Sequence, residues 1–278
     1  MRLTPSLLLS LFSLLVQGQS STSPFYPIIP YSPTSNLVSI RLAERTIPVR
    51  EDRYGASTGW VFVHLHGLEQ SSLEAAQEIL PYSGGQLIQI ENGEKRNLTV
   101  QHRKRKWSID PNRIFERSGI KMNLSELNRH QAPEPVIKEI EAFGKQLLRL
   151  LPDSIRCIVA LHNNFDEGFG IREYLPGGKR SNDARRVFAN PEEDPDDIVL
   201  TTDSLIYEHM AEACFNVIWQ DSARVKKDGS LSVYAAQQQL RYVNIETEHG
   251  KKEHYRRMLQ HLMLYLMREK EAIFSKPE

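Results

Sequence analysis

The chain of 278 residues carries 35 basic (Lys+Arg) and 35 acidic (Asp+Glu) side chains, so its formal net charge is zero. Hydrophobic residues make up 40% and charged residues 25% of the chain, close to the average of globular proteins. This composition argues against a disordered or collagen-like chain and against a protein that binds nucleic acid through bulk charge. The 2 cysteines are too few for a scaffold built on disulfides.

Residues 1–20 have the pattern of a secretory signal peptide. Arg2 precedes an apolar run from Leu7 to Val16, which is shorter than the roughly 20 residues that a membrane-spanning helix needs. We therefore expect this segment to be removed on export, which leaves a secreted or periplasmic protein without a stable membrane anchor. An uncleaved anchor is the alternative.

Short apolar runs predict buried strands in the rest of the chain, and amphipathic spacing predicts helices between them. Residues 21–56 are rich in Ser, Pro and Tyr without a clear period, so we expect an extended lead-in before a single domain at 57–278. The predicted strands are 60–63, 86–90, 98–100, 157–161, 198–200, 215–219 and 242–245. The predicted helices are 71–80, 134–151, 204–214 and 251–270. This alternation predicts an α/β fold, a three-layer α/β/α arrangement around a central mixed, mainly parallel sheet.

Two further features have alternative interpretations. A long polar stretch at 163–197 is typical of a functional or mobile loop, and its acidic end at 190–197 fits either a calcium site or, as we favour, a solvated loop. Cys157 and Cys214 could form a disulfide in an oxidising compartment or remain two separate thiols, and the sequence leaves this open.

Candidate metal ligands follow two of the predicted strands. His66 and Glu69 come directly after the first of them, three residues apart, so that both side chains can reach one cation. His162 ends the strand at 157–161, and sites in open α/β sheets form where strands end. Two imidazoles and a carboxylate are ligands that zinc accepts. A histidine buried in the core or in a loop is the alternative for each of the two histidines.

A third segment extends this pattern to a known family. The chain resembles the zinc carboxypeptidases, and most closely their aspartoacylase/succinylglutamate desuccinylase branch, over roughly residues 58–250. The motifs that carry the resemblance are His66-Gly-Leu-Glu69, Arg105, Asn112-Arg113 and Leu161-His162-Asn163.

The resemblance implies a role for each matching residue. The zinc ligands would be His66, Glu69 and His162. Asn112 and Arg113 would bind a free carboxylate of the substrate, which a planar guanidinium can hold through both oxygens. Arg105 would polarise the scissile carbonyl and stabilise the oxyanion. For residues 102–106 the alternatives are a solvated basic turn and, less favoured, a nucleic-acid patch.

The family also has a general-base carboxylate at the end of a late strand. Glu246 and Glu248 both follow the strand at 242–245, and side chains two apart point to the same side of an extended chain. We favour Glu246 as the general base because it directly follows the apolar run. His249 beside them has no assigned role.

The resemblance thus implies an exported zinc hydrolase that cleaves an amide bond next to a free carboxylate, as a carboxypeptidase does. Its substrate would be a small peptide. An N-acyl amino acid deacylase of the aspartoacylase type is the first alternative. A non-catalytic binding module on the same fold is the second, although every expected catalytic residue type is present in the sequence.

Overall fold

A computed structural model describes residues 29–165 and 168–274, with side chains up to residue 270. Within these residues no helix is long and apolar enough to cross a membrane. The predicted signal peptide lies outside the described residues.

The described chain forms strands and helices that largely alternate. The strands are β1 (Pro33–Leu42), β2 (Arg45–Tyr54), β3 (Trp60–His64), β4 (Gly85–Ile90), β5 (Leu98–His102), β6 (Arg105–Ile109), β7 (Cys157–Asn164), β8 (Ala184–Phe188), β9 (Ile198–Thr201), β10 (Asn216–Gln220) and β11 (Arg241–Glu248). The helices are α1 (Gln70–Ser83), α2 (Arg117–Asn128), α3 (Glu134–Leu148), α4 (Ser204–Glu212), α5 (Leu231–Gln237) and α6 (Lys252–Phe274).

Nine of the strands form one mixed sheet in the order β1-β2-β4-β3-β7-β11-β9-β10-β8. Its centre is parallel, because β3 pairs in parallel with β4 and β7, and β7 pairs in parallel with β11. The outer strands β1, β2 and β8 are antiparallel to their neighbours. β5 and β6 form a separate antiparallel hairpin. The predicted central, mainly parallel sheet is confirmed.

Helices cover both faces of this sheet, which gives the predicted three layers. One core packs apolar side chains of α1, α4 and α6 against the sheet, among them Leu73, Met210 and Leu262. The other core packs α2, α3 and α5 against the opposite face, with Leu124 and Phe143 fully buried. Strands β3 and β7 are buried along their whole length, as their continuous apolar runs predict.

The segment expected as an extended lead-in contributes two strands to the sheet. Residues 33–54 form the β1–β2 hairpin, whose second strand pairs with β4. Apolar side chains alternate only around the turn, where Ile40, Leu42, Ile47 and Val49 are buried. Most of β1 is exposed at the sheet edge, so the first half of the hairpin lacks the apolar pattern that predicts a strand.

The polar stretch at 163–197 includes two 3-10 turns, Ile171–Glu173 and Ser181–Asp183, followed by the edge strand β8. The two cysteines are not bonded to each other: Cys157 is buried in β7 and Cys214 is exposed.

Candidate active site

The three predicted metal ligands meet where β3 and β7 end side by side. These strands are paired in parallel, with His64 opposite Leu161, so the residues that follow each strand leave the sheet at the same edge. His66 lies in the turn after β3, Glu69 directly precedes α1, and His162 is in β7. All three side chains are buried.

Their donor atoms converge on one point. Nδ1 of His66 lies 3.0 Å from Oε1 of Glu69 and 3.2 Å from Nδ1 of His162. Nδ1 of His162 lies 2.8 Å from Oε2 of Glu69. One ligand atom from each residue lies within 4.8 Å of the others.

Two residues without a predicted role complete this cluster. Oδ1 of Asp110 lies 2.7 Å from Nε2 of His66, on the side of the imidazole away from the other ligands. A guanidinium nitrogen of Arg96 donates to Glu69 over 2.7 Å, and another lies 3.3 Å from Asp110. A carboxylate that holds the second nitrogen of a ligating histidine is a regular feature of zinc sites, since it fixes the orientation of the ring.

The electrostatics of the cluster favour a positive charge. Burial lowers the pKa of His66, but the carboxylates of Glu69 and Asp110 outweigh it and raise this pKa to about 9. Burial alone would raise the pKa of Glu69, yet the two histidines hold it well below its ordinary value. Two imidazole nitrogens and a carboxylate, buried and backed by Asp110, are a donor set that fits zinc.

The predicted carboxylate-binding pair lies beside the metal ligands. The 3-10 turn Pro111–Arg113 is capped by Asp110, whose side chain accepts a hydrogen bond from the backbone N–H of Asn112. The side-chain amide nitrogen of Asn112 lies 3.4 Å from Nε2 of His162, and its side-chain oxygen Oδ1 accepts from the backbone N–H of Leu231. The guanidinium of Arg113 donates to the backbone carbonyl of Asn112 over 2.7 Å, so the turn itself holds this guanidinium.

The two candidate bases lie in different surroundings. Glu246 is the register partner of His162 on the neighbouring strand and lines the same cavity as Glu69. The Asn244 side chain donates a hydrogen bond to Glu246 over 3.0 Å. Burial raises the pKa of Glu246. Glu248 instead forms a 2.9 Å ion pair with Lys251.

Arg105 lies apart from this cluster. It is exposed at the start of β6, and its guanidinium lies over the ring of Trp107 at 4.5 Å. Arg105 is not among the residues that line the cavity, whereas Arg96, in the loop before β5, lines it and contacts Glu69. The structure therefore does not bring Arg105 together with the other predicted site residues.

The site opens into a cavity of about 390 Å³. Metal ligands Glu69 and His162, the pair Asn112 and Arg113, and Glu246 all line it. The remaining wall comes largely from the stretch at 163–197 and from the segment between β10 and β11. The long polar stretch thus helps to shape the cavity.

The acidic end of that stretch meets the end of β11. One carboxylate oxygen each of Asp194, Asp196 and Glu248 lies within 4.8 Å of the others. The ammonium of Lys251 lies 2.7 Å from Asp194 and 2.9 Å from Glu248. A cation of the chain itself therefore pairs with two of these three acids.

Comparisons with known proteins place the chain beside distant structures. No protein-family model matches it, and no curated protein does. An aspartoacylase family protein from Mesorhizobium loti is 12% identical, with 87% of this chain and 69% of that chain covered and a TM-score of 0.43. Murein-tripeptide amidase MpaA from Escherichia coli O157 is 14% identical, with 86% and 93% covered and a TM-score of 0.45. Thrombin activatable fibrinolysis inhibitor is 9% identical, with 84% and 69% covered and a TM-score of 0.48.

The motifs quoted in the sequence analysis do not cover the whole site. Two residues of the site, Asp110 and Arg96, were not predicted from these motifs. Asp110 precedes a proline at the first position of a 3-10 turn, a pattern typical of a capping residue, whereas Arg96 has no comparable signal.

Proposed function

We propose that the chain is a zinc-dependent hydrolase that cleaves an amide bond next to a free carboxylate. The observation that supports this most directly is that the cluster of His66, Glu69 and His162 opens, through its last two members, into the cavity that Arg113 and Glu246 line. A metal site, an anchor for a carboxylate and a buried base are the three parts that this reaction needs. The pattern of residues 1–20 supports export of the enzyme.

His66, Glu69 and His162 would hold the metal. Zinc bound there would supply Lewis acidity and lower the pKa of a coordinated water toward ~7. Asp110 keeps the His66 ring in place through its 2.7 Å contact with Nε2. The buried position of the three ligands limits competition from bulk water.

The 3-10 turn beside the ligands would bind the substrate. Arg113 would hold the free carboxylate through two parallel hydrogen bonds, and the Asn112 amide would donate a third. This contact places the neighbouring amide next to the metal ligands, because Asn112 itself lies 3.4 Å from His162. The pair therefore aligns the scissile bond before any proton moves.

Proton transfer falls to Glu246. Its carboxylate would accept a proton from the attacking water and deliver it to the leaving nitrogen, so that the same oxygen first takes and then returns the proton. Burial raises the pKa of Glu246, which makes it a stronger base than a solvated carboxylate. Arg96, rather than the exposed Arg105, would stabilise the negative charge on the carbonyl oxygen.

The test compares Glu246→Gln with Glu248→Gln. The first variant should keep its zinc and lose about 10²- to 10⁴-fold in kcat, the range that general-base catalysis contributes. The second should retain activity, because Glu248 pairs with Lys251. Zinc content is measured together with release of a C-terminal residue from short peptides. Normal turnover by Glu246→Gln would remove this residue from the mechanism.

A deacylase of N-acyl amino acids needs the same three parts, and the motif His66-Gly-Leu-Glu69 favours that branch. The two activities separate when short peptides and N-acetyl or N-succinyl amino acids are compared as substrates. Each reaction is run with and without a chelator. Loss of activity with the chelator and recovery on addition of zinc would support the metal in either case.

A further inference from the structure

The cavity extends beyond Arg113 to two carboxylates from separate segments. Asp228 precedes α5, and Asp183 lies in the 3-10 turn before β8. Oδ1 of Asp228 accepts from the backbone N–H of Ser230 over 3.0 Å, and Oδ1 of Asp183 accepts from that of Lys226 over 3.0 Å. The loops themselves therefore fix the direction of both carboxylates.

Each of these carboxylates has its second oxygen in an ion pair that is longer than a hydrogen bond. Oδ2 of Asp228 lies 3.6 Å from a guanidinium nitrogen of Arg113, and Oδ2 of Asp183 lies 3.8 Å from Arg180. Arg180 is held more closely by Glu173, to which it donates over 3.0 Å. It is thus largely neutralised by an acid from its own segment.

The charges in this part of the cavity do not balance once a substrate is bound. Under the proposed function, on which this inference rests, Arg113 is occupied by the free carboxylate of the substrate. Arg180 is paired with Glu173. Glu173, Asp183 and Asp228 then share the one guanidinium of Arg180, so negative charge is in excess beside the bound residue. Such carboxylates are costly when a substrate displaces their water.

The neutral side chains of this region also present acceptors. The Asn244 amide nitrogen donates to Glu246, and its oxygen is buried without a hydrogen-bond partner among the described residues. Gln220 lines the same cavity and donates through its amide nitrogen to the carbonyl of Ser232. A ligand that donates hydrogen bonds fits the unpartnered Asn244 oxygen.

We propose that the substrate residue with the free carboxylate has a positively charged, amine-bearing side chain, which Asp228 and Asp183 recognise. An acidic side chain would need Arg180, which Glu173 already holds. A purely aliphatic side chain would leave the excess negative charge of both carboxylates uncompensated and the Asn244 oxygen without a donor. The cavity therefore selects the substrate class by charge.

The experiment measures binding rather than turnover. Full-length Glu246→Gln protein, loaded with zinc, is titrated calorimetrically with Nα-acetyl-lysine, Nα-acetyl-norleucine and Nα-acetyl-glutamate. Norleucine has the length of lysine without the terminal amine. The lysine derivative should bind about 10- to 100-fold more tightly than the norleucine derivative, the range of a hydrogen bond to a charged group. Equal affinities, or tighter binding of either other compound, would overturn the inference.

Variants then locate the recognition. Asp228→Asn and Asp183→Asn should each reduce the preference for lysine over norleucine. Asp221→Asn, in the same loop as Asp228 but outside the cavity lining, is the matched control and should keep it. The two cavity variants change separate segments. If one of them fails to fold, the other still tests whether the cavity carboxylates recognise lysine. A full preference in both would also overturn the inference.

Turnover by the wild-type enzyme decides the proposed function independently. A preference for lysine in binding without hydrolysis of any peptide or N-acyl amino acid would refute the hydrolase and support this cavity assignment. Hydrolysis combined with a preference for norleucine or glutamate would support the hydrolase and refute this cavity assignment.

Discussion

Asp110 connects the metal-binding cluster to the pair that would bind the carboxylate. Its Oδ1 lies 2.7 Å from His66 and accepts from the backbone N–H of Asn112 over 2.8 Å. Its own backbone N–H donates to the side chain of Asn123 on α2. One carboxylate therefore orients a candidate metal ligand and caps the turn that presents Arg113, so that the two parts of the proposed site share a fixed geometry.

At the same scale, Arg96 and Arg105 are the two candidates for the residue that would stabilise the oxyanion. Arg96 contacts Glu69 and lines the cavity, whereas Arg105 lies exposed over Trp107. We expect Arg96→Gln to lower kcat by about 10²- to 10³-fold, the cost of removing one oxyanion donor. Arg105→Gln should change kcat little. Steady-state kinetics with zinc content as the control measures both, and the opposite ranking would restore Arg105 to the role.

The difference between these two arginines shows how far the sequence predicts the site. His66, Glu69 and His162 follow or end apolar runs, so their convergence can be predicted from strand order alone. The position of Arg96 depends on the loop between β4 and β5, whose Lys95 carbonyl accepts a hydrogen bond from the backbone of Gly67. Such a long-range contact leaves no periodic pattern in the sequence.

At the scale of elements, the turn between β3 and α1 depends on close packing against that same loop. A Cβ atom at Gly67 would collide with the carbonyl oxygen of Gly93. This turn sets the spacing of His66 and Glu69, so a shift of the loop also moves the metal ligands. The absence of a side chain at Gly67 is therefore a requirement of the site as well as of the fold.

We expect Gly67→Ala to destabilise the protein by about 3 kcal/mol or more, because backbone has to move, and to weaken zinc binding as well. Gly177→Ala is the control, since a Cβ there meets nothing within 4 Å. Its φ of 86° gives a backbone cost of about 1–2 kcal/mol and leaves zinc binding unchanged. Urea denaturation and competition with a chelator measure the two effects. A wild-type zinc affinity in Gly67→Ala would contradict the inference that the packing of this turn positions His66 and Glu69.

Elements with continuous or amphipathic apolar patterns were predicted, and those that depend on pairing partners were not. The strands β3, β7 and β11 and the helices α1, α3 and α6 all appear within a few residues of their predicted bounds. The β1–β2 hairpin was missed because its outer strand is mostly exposed. Helix α2 was missed because its apolar residues are sparse, and α5 because it has only 7 residues. Their positions are determined by tertiary contacts rather than by local pattern.

At the scale of the whole molecule, the acidic loop before β9 joins two layers of the fold. Asp194 pairs with Lys251 at the start of α6, while Asp197 is 3% exposed and lies 3.7 Å from Lys251 and 3.3 Å from His254. The sequence predicts the excess of acids but not that α6 supplies their counterions. Because the loop, β11 and α6 meet here, the charge of these acids acts on the stability of the entire domain.

The two aspartates respond to pH in opposite ways. Burial, with the nearby charges of Asp194 and Glu248, raises the pKa of Asp197 to about 7. The hydrogen bond from Lys251 holds the pKa of Asp194 below its ordinary value. Between about pH 4 and 7 the folded state binds a proton at Asp197 that the unfolded state has lost, so this residue makes the fold less stable as pH rises through that window. Asp194 stabilises the fold once it is ionised.

We therefore expect Asp197→Asn to melt at a higher temperature than the wild type at pH 8, and to exceed it at pH 5 by only about a third of that margin. Because Lys251 offsets part of the charge, the gain at pH 8 should be about 1 kcal/mol, which corresponds to roughly 2–4 °C in a chain of this size. Asp194→Asn, the matched variant in the same loop, should melt lower than the wild type at both pH values. Thermal unfolding followed by circular dichroism at the two pH values tests the pair. A gain for Asp197→Asn that is equal at pH 5 and pH 8 would show that the carboxylate charge is not its cause.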